Sequence, residues 1–301
     1  MKERLLMKQR LKKLTTAALA AAVAGFLTIG ATSCSSRPRG DIGEVQTLRM
    51  LAESQLELGS READRGNHET AFIFLNESRR LATLADDPGL LVRSSLALGN
   101  ALLSAGHAAE AFDEWAFAER MAQAMPDAQL AAVSRVHAAR GRLTTGTASA
   151  QAVLDDVNRE IAAITSDQLY LAFSWQVIGL SQRALSRFAE AEASMMRSLA
   201  IHERGGNLEL AANDWFVIGS IRSLSGNYPG ALQALQQAVE LDRRTENSWG
   251  LANDWRAKGD VHRRAGNPAA AREAYLRSAA IFRAMGREDI AANLEEMAEQ
   301  V

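Results

Sequence analysis

A 40-residue period constrains this chain more than any single residue in it. Gly59, Gly99, Gly179, Gly219 and Gly259 are spaced by multiples of 40. So are Gly66, Gly106, Gly146, Gly226 and Gly266, and Ala71, Ala111, Ala191, Ala231 and Ala271. A period of about 20 to 50 residues is the signature of a solenoid, in which each unit buries its apolar face only by stacking on its neighbours. Six units are legible, at 52–91, 92–131, 132–171, 172–211, 212–251 and 252–291.

Each unit reads as two helices joined by a turn at the second glycine. In the stretch Trp215 to Ala238, Trp215, Ile218, Gly219 and Arg222 fall at i, i+3, i+4 and i+7, which is one helical face. Glycine in a helix interior costs about 1 kcal/mol against alanine, so five in register need a packing reason. The expected one is that each glycine meets the small residue of the second helix, as Gly219 would meet Ala231. Trp175, Trp215 and Trp255, with Trp115 on a second helix, are then expected in the core. Helix starts are marked at one offset by Asp87, Asp127, Asp167, Asn207 and Asn247, all good N-cap residues, with Pro88 at the favoured first position. They predict first helices near 88–104, 128–144, 168–184, 208–224 and 248–264, preceded by a helix from Glu44 to about Arg65. Second helices are predicted near 67–84, 107–124, 147–164, 187–204, 227–244 and 267–284. No strand signal is present. Glu288 to Gln300, apolar at Ile290, Leu294 and Met297, suits a helix that caps the open end of the stack. The solenoid is accordingly assigned to 44–291 and the terminal cap to 292–301.

The order aromatic, Leu or Ile followed by Gly, second glycine, Ala and a bulky residue resembles the tetratricopeptide repeat family. Trp175, Trp215 and Trp255 stand at the aromatic position, Ile178-Gly179 and Ile218-Gly219 follow it, and Leu75, Trp115, Met195, Leu235 and Tyr275 hold the bulky one. The resemblance covers 52–291, with a period of 40 in place of the family's 34. The third unit departs from it: Ala139 replaces the glycine, Gln151 the alanine and Asp155 the bulky residue. The fold implied is all-α, a right-handed solenoid of antiparallel helix pairs with about six units and a C-terminal capping helix. The function implied is non-catalytic capture of a protein or peptide.

Residues 1–33 are expected to be a leader. Met1 to Lys13 is basic, Leu14 to Gly30 is apolar, and Ala31-Thr32-Ser33 leads to Cys34, the only cysteine. This resembles the bacterial lipoprotein signal, in which the thiol is acylated with chains such as palmitate and becomes the new N-terminus. It implies a periplasm-facing, lipid-anchored protein of the cell envelope, and Ser35 resembles the signal for an outer membrane. Two or more acyl chains, at about 0.8 kcal/mol per buried methylene, make a stable anchor. Residues 34–43 read as a tether, within which Arg39-Gly40-Asp41 is too short and unconstrained to specify adhesion. The leader holds six basic residues and one acidic, so its removal leaves 28 Lys and Arg against 35 Asp and Glu, a net charge of −7. Nucleic-acid binding is disfavoured by that sign.

No catalytic constellation is legible. His68, His107, His137, His202 and His262 fall in separate units with no metal-ligand spacing, and no phosphate loop or nucleophile motif is present. Neither a cofactor nor a metal is therefore expected. Binding should use the inner wall of the superhelix, which the resemblance assigns to first-helix residues. In the last three units this selects Phe173 and Arg183, Asn213 and Phe216, and Asn253, Arg256 and Arg263. Earlier units offer a more apolar wall, with Leu96, Asn100, Leu103 and Arg140. Asn213 and Asn253 can hold a peptide backbone through amide donor and acceptor. The three arginines read as a basic strip that favours a segment carrying carboxylates. An alternative occupation of the groove is a component of an envelope transporter or of a secretion or assembly complex, with this chain as accessory subunit.

Overall fold

The computed structural model describes residues 43–301, so the leader, Cys34 and all but the last residue of the tether lie outside the described residues. Among the described residues there are thirteen α-helices and no strand. They pair in order: α1 (Glu44–Asp64) with α2 (His68–Leu84), α3 (Pro88–Ser104) with α4 (Ala108–Gln123), and α5 (Ala128–Thr145) with α6 (Ala150–Glu160). Then follow α7 (Gln168–Ala184) with α8 (Phe188–Arg204), α9 (Leu208–Leu224) with α10 (Tyr228–Arg244), α11 (Ser248–Arg264) with α12 (Pro268–Ala284), and α13 (Glu288–Glu299). The first helices start where the caps place them. Asp87 accepts from the Leu90 amide at 2.9 Å, Asp127 from Leu130 at 2.9 Å, Asp167 from Leu169 at 2.9 Å and Asn247 from Gly250 at 3.0 Å. Asn207 holds the position without a side-chain bond.

The turn glycines have a backbone reason. Gly66, Gly106, Gly146, Gly226 and Gly266 all have φ between 70° and 90°, a left-handed conformation that closes a helix and that side chains resist. Ser186 stands at the same offset in the fourth unit and adopts φ 58° regardless.

Each helix packs on its sequence neighbours, and first helices α1 and α3, α3 and α5, α5 and α7, and α9 and α11 also touch across units. Second helices approach one another less, so the first helices form the tighter, concave layer. The packing glycines meet the small residue as expected, with a Cβ at Gly219 3.3 Å from the Ala231 carbonyl oxygen and one at Gly179 3.2 Å from that of Ala191, but their nearest neighbour is a larger side chain. A Cβ on Gly219 would lie 2.8 Å from Cγ of Leu235, and one on Gly59 2.6 Å from Cγ of Leu75. Gly99, Gly179 and Gly259 likewise abut Trp115, Met195 and Tyr275. The glycine is a socket for the bulky residue of the second helix, and all five such residues are fully buried.

The same geometry corrects the tryptophans. Trp115 is core, but Trp175, Trp215 and Trp255 are only half-buried. They lie on the flank of the pair, where Arg197 of α8 sits 4.4 Å over Trp175 and Arg277 of α12 4.6 Å over Trp255, a favourable arrangement of cation on aromatic face. In the third unit, Gly141 takes over as a socket for Phe112 and Trp115 of the preceding pair. Its second helix shortens to 11 residues, buries Val153, Leu154 and Val157, and ends in a 3-10 turn at Ile161–Ala163. At the far end, α13 buries Ala291, Leu294 and Ala298 over Tyr275 and Phe282.

Candidate functional site

The solenoid curves until its first turn meets its last units. Trp249, at the start of α11, sits edge-on to His68 at 5.1 Å and to Phe282 at 5.3 Å. Gly66 lies so close that a Cβ there would be 2.6 Å from that of Trp249. Above this wedge the inner wall forms a half-open cavity of about 430 Å³, lined from one side by α1 and α3 and from the other by α9, α11 and the end of α10. Its volume falls within the range of small-ligand sites.

Asn213, Phe216, Asn253 and Arg256, four of the seven groove residues selected from sequence, line this cavity, together with Asn100. Asn213 and Arg256 are exposed, and Asn253 donates to the Trp249 carbonyl at 2.9 Å. The other three lie elsewhere. Phe173 is stacked on His137 at 4.0 Å and is occupied by that contact. Burial holds His137 neutral, with its pKa lowered to about 4. Arg263 is held by Tyr275 Oη at 3.2 Å and by Asp260 at 3.6 Å. Arg183 donates to Ser220 Oγ at 3.2 Å and is near enough to Arg140 that burial first, and the charge of Arg183 second, lower the Arg140 pKa to about 10. The basic strip is therefore not assembled. One basic pair, Arg140 and Arg183, stands on the wall, and Arg256 stands alone in the cavity.

What surrounds Arg256 is acidic. Asp64, Glu209, Asp242 and Asp254 all line the cavity, so four carboxylates face one guanidinium. Asp254 and Asp242 are 1% and 4% exposed. Asn247 ties Asp242 into place, donating to its Oδ1 at 3.0 Å while capping α11. Gly250 lets that carboxylate rest against the first turn of the helix, where any Cβ would collide with Asp242 Oδ2 and where the helix dipole favours negative charge. Burial pushes both carboxyls upward, Asp254 further because the Asp242 charge adds to it. Two carboxyls buried together favour the state in which they hold one proton between them. Burial in the concave wall, then Glu209, also raises Asp64, but its side chain keeps solvent contact, which screens the effect.

The 40-residue offset sets this pair beside a fully bonded carboxylate in the preceding unit. Asp214 stands one period before Asp254, fully buried, and accepts from Gln176 Nε2 at 2.7 Å, Ser198 Oγ at 2.9 Å and His202 Nδ1 at 2.7 Å. One period on, those three donors become Phe216, Ala238 and Asp242. Asp254 keeps the position of a satisfied carboxylate and has lost every donor, and its Oδ2 has no hydrogen-bond partner. Sequence inspection finds the Asn-Asp-Trp repeat at 213–215 and 253–255 but misses this acid pair, whose signal is the change from His202 to Asp242. No group of three or more His, Cys, Asp or Glu among the described residues is arranged to hold a metal ion.

Comparison with known proteins agrees with this architecture. The tetratricopeptide repeat family model matches residues 209–284, the fifth and sixth helix pairs. No curated protein matches the chain. Among solved structures, Rap protein complexed with Competence and Sporulation Factor superposes with a TM-score of 0.57 at 13% identity, over 83% of this chain and 74% of that one. BtubC (BKLC) from P. vanneervenii gives 0.53 at 18% identity, over 78% and 92%. The Cut9-Hcn1 hetero-tetramer of the APC/C gives 0.55 at 18% identity, over 87% and 49%. Identities this low show a shared solenoid fold.

Proposed function

We propose that this chain is a lipid-anchored scaffold of the bacterial cell envelope that captures a protein or peptide segment on its concave wall and does no chemistry on it. The observation that carries the binding half is the half-open cavity, which gathers Asn100, Asn213, Phe216, Asn253 and Arg256 from helices of both ends. Amides at this spacing can hold an extended backbone while Phe216 takes a side chain, and the Arg140–Arg183 pair offers a second point for a carboxylate. Tetratricopeptide repeats bind protein or peptide partners, and the similar Rap structure holds Competence and Sporulation Factor. The anchoring half rests on the basic and apolar segments that precede Cys34. No helix among the described residues is long and apolar enough to cross a membrane.

Crosslinking and pull-down from native membranes tests the binding half. Asn213→Ala with Asn253→Ala should abolish partner capture at unchanged thermal stability, and capture of the same proteins by variant and parent would place binding elsewhere. For the anchor, Cys34→Ser should block maturation and fatty-acid labelling. Equal labelling of the two forms would exclude acylation at Cys34.

A further inference from the structure

We infer that the acidic cavity receives a cationic group of the captured peptide, a lysine ammonium or arginine guanidinium, with Asp254 and Asp242 as its direct partners. This rests on the peptide-binding reading and adds to it the charge of the ligand, opposite to what the arginines alone suggest. Three observations converge on it. Asp254 is nine-tenths buried and more, its Oδ2 has no hydrogen-bond partner, and it lines the cavity. Its counterpart Asp214 shows what the position requires, a histidine nitrogen at 2.7 Å with two further donors, and all three are replaced in the next unit. Asp242 now stands at the histidine's position, so a cationic donor for Asp254 would come from the cavity that both residues line.

The surrounding charges set the sign. From α1 the cavity receives Asp64, from α9 Glu209, from α10 Asp242 and from α11 Asp254 and Arg256. Arg256, an exposed side chain, is the one guanidinium lining the cavity against four carboxyl groups, and of the remaining cations Lys258 acts on Asp254 through its charge. Lys258, one turn beyond Asp254, is directed to Gln236 Oε1 at 2.8 Å and over the Trp255 ring at 4.4 Å. A bound ammonium or guanidinium makes charge-assisted hydrogen bonds to both carboxylates and displaces the proton they share, so binding releases a proton and strengthens as pH rises.

The test uses the full-length protein and capped tripeptides followed by calorimetry in buffers of different ionisation enthalpy. Acetyl-trilysine amide should bind with release of about one proton at neutral pH, and Asp254→Asn and Asp242→Asn should each weaken it about tenfold or more. The exposed-carboxylate control Glu299→Gln should leave it unchanged. The side-chain-acetylated peptide and acetyl-triglutamate amide should bind far more weakly. If triglutamate binds as well as trilysine, or if Asp254→Asn matches Glu299→Gln, the assignment is overturned while peptide capture stands. If n-butylamine binds as tightly as the tripeptide and Asn213→Ala with Asn253→Ala changes neither, the cation site stands and the peptide reading falls.

Discussion

The socket glycines allow a graded test of how this fold is held together, because substitution by alanine adds the same methyl to three different neighbours. At Gly179 the new Cβ would be 3.0 Å from Met195 Sδ and 3.1 Å from Cγ, and an unbranched thioether can swing aside, while the Ala191 carbonyl oxygen at 3.2 Å matches that of Ala231 at 3.3 Å from Gly219 and so does not distinguish the two sites. At Gly219 it would be 2.8 Å from Cγ and 3.0 Å from Cδ2 of Leu235, a branched side chain with less room to adapt. At Gly259 it would strike the Tyr275 ring at 2.5 Å from both Cδ1 and Cε1. That ring is flat, rigid and fixed at its far end, where Oη donates to Asp260 at 2.8 Å and accepts from Arg263 at 3.2 Å. Alanine recovers about 1 kcal/mol of helix propensity in each case, against an overpacking cost of about 1 to 3 kcal/mol. Gly179→Ala should therefore be within about 0.5 kcal/mol of neutral, Gly219→Ala destabilising by about 1, and Gly259→Ala by about 2. Thermal melts resolve this order, since about 1 kcal/mol moves Tm by roughly 2 to 4 °C in a domain of this size. A Gly179→Ala melting as low as Gly259→Ala would refute the socket, because identical costs would mean that backbone conformation, and not the facing side chain, selects glycine.

Two further predictions concern the buried carboxylates. The folded chain retains protons on Asp242 to about 6 and on Asp254 to about 9, above their ordinary carboxylate value of 3.8, so their contribution is fully present below that value and is lost as pH rises through the folded ones. Asp254→Asn should flatten the urea-denaturation stability profile between pH 6 and 9 by up to about 1.4 kcal/mol per pH unit, and parallel profiles would exclude the shared proton. Asp214→Ala, which orphans Gln176, Ser198 and His202, should cost about 3 to 5 kcal/mol, and Asp254→Ala clearly less because it orphans no donor. Equal losses in thermal melts would show that Asp254, like Asp214, has donors within the fold.

What the sequence made legible, and what it did not, divides by range of interaction. Helix starts were set by Asp87, Asp127, Asp167 and Asn247 through bonds to amides two or three residues away, so reading them needed only the local chain. The role of Gly219 is half legible: a period identifies the position and its Ala231 neighbour, but that Leu235 comes closer still depends on the angle between two helices. Trp215 was misread for that reason, since the same i to i+4 face that carries Gly219 into the pair leaves a residue one turn earlier on its flank. The cavity lay further out of reach. Its walls come from Asp64 and Asn100 at one end and Asp242 and Asp254 at the other, residues brought together by the accumulated rotation of several units, a quantity no single repeat encodes. Yet the feature that gives the cavity its chemistry is a comparison between neighbours. His202 and Asp214 become Asp242 and Asp254 one period later, a hydrogen-bonded imidazole and carboxylate giving way to two buried carboxyl groups. In a repeat protein, where every buried position is presented several times over, a unit that has the carboxylate without its donors marks a place where either a proton or a ligand supplies what the neighbouring repeat supplies from its own side chains.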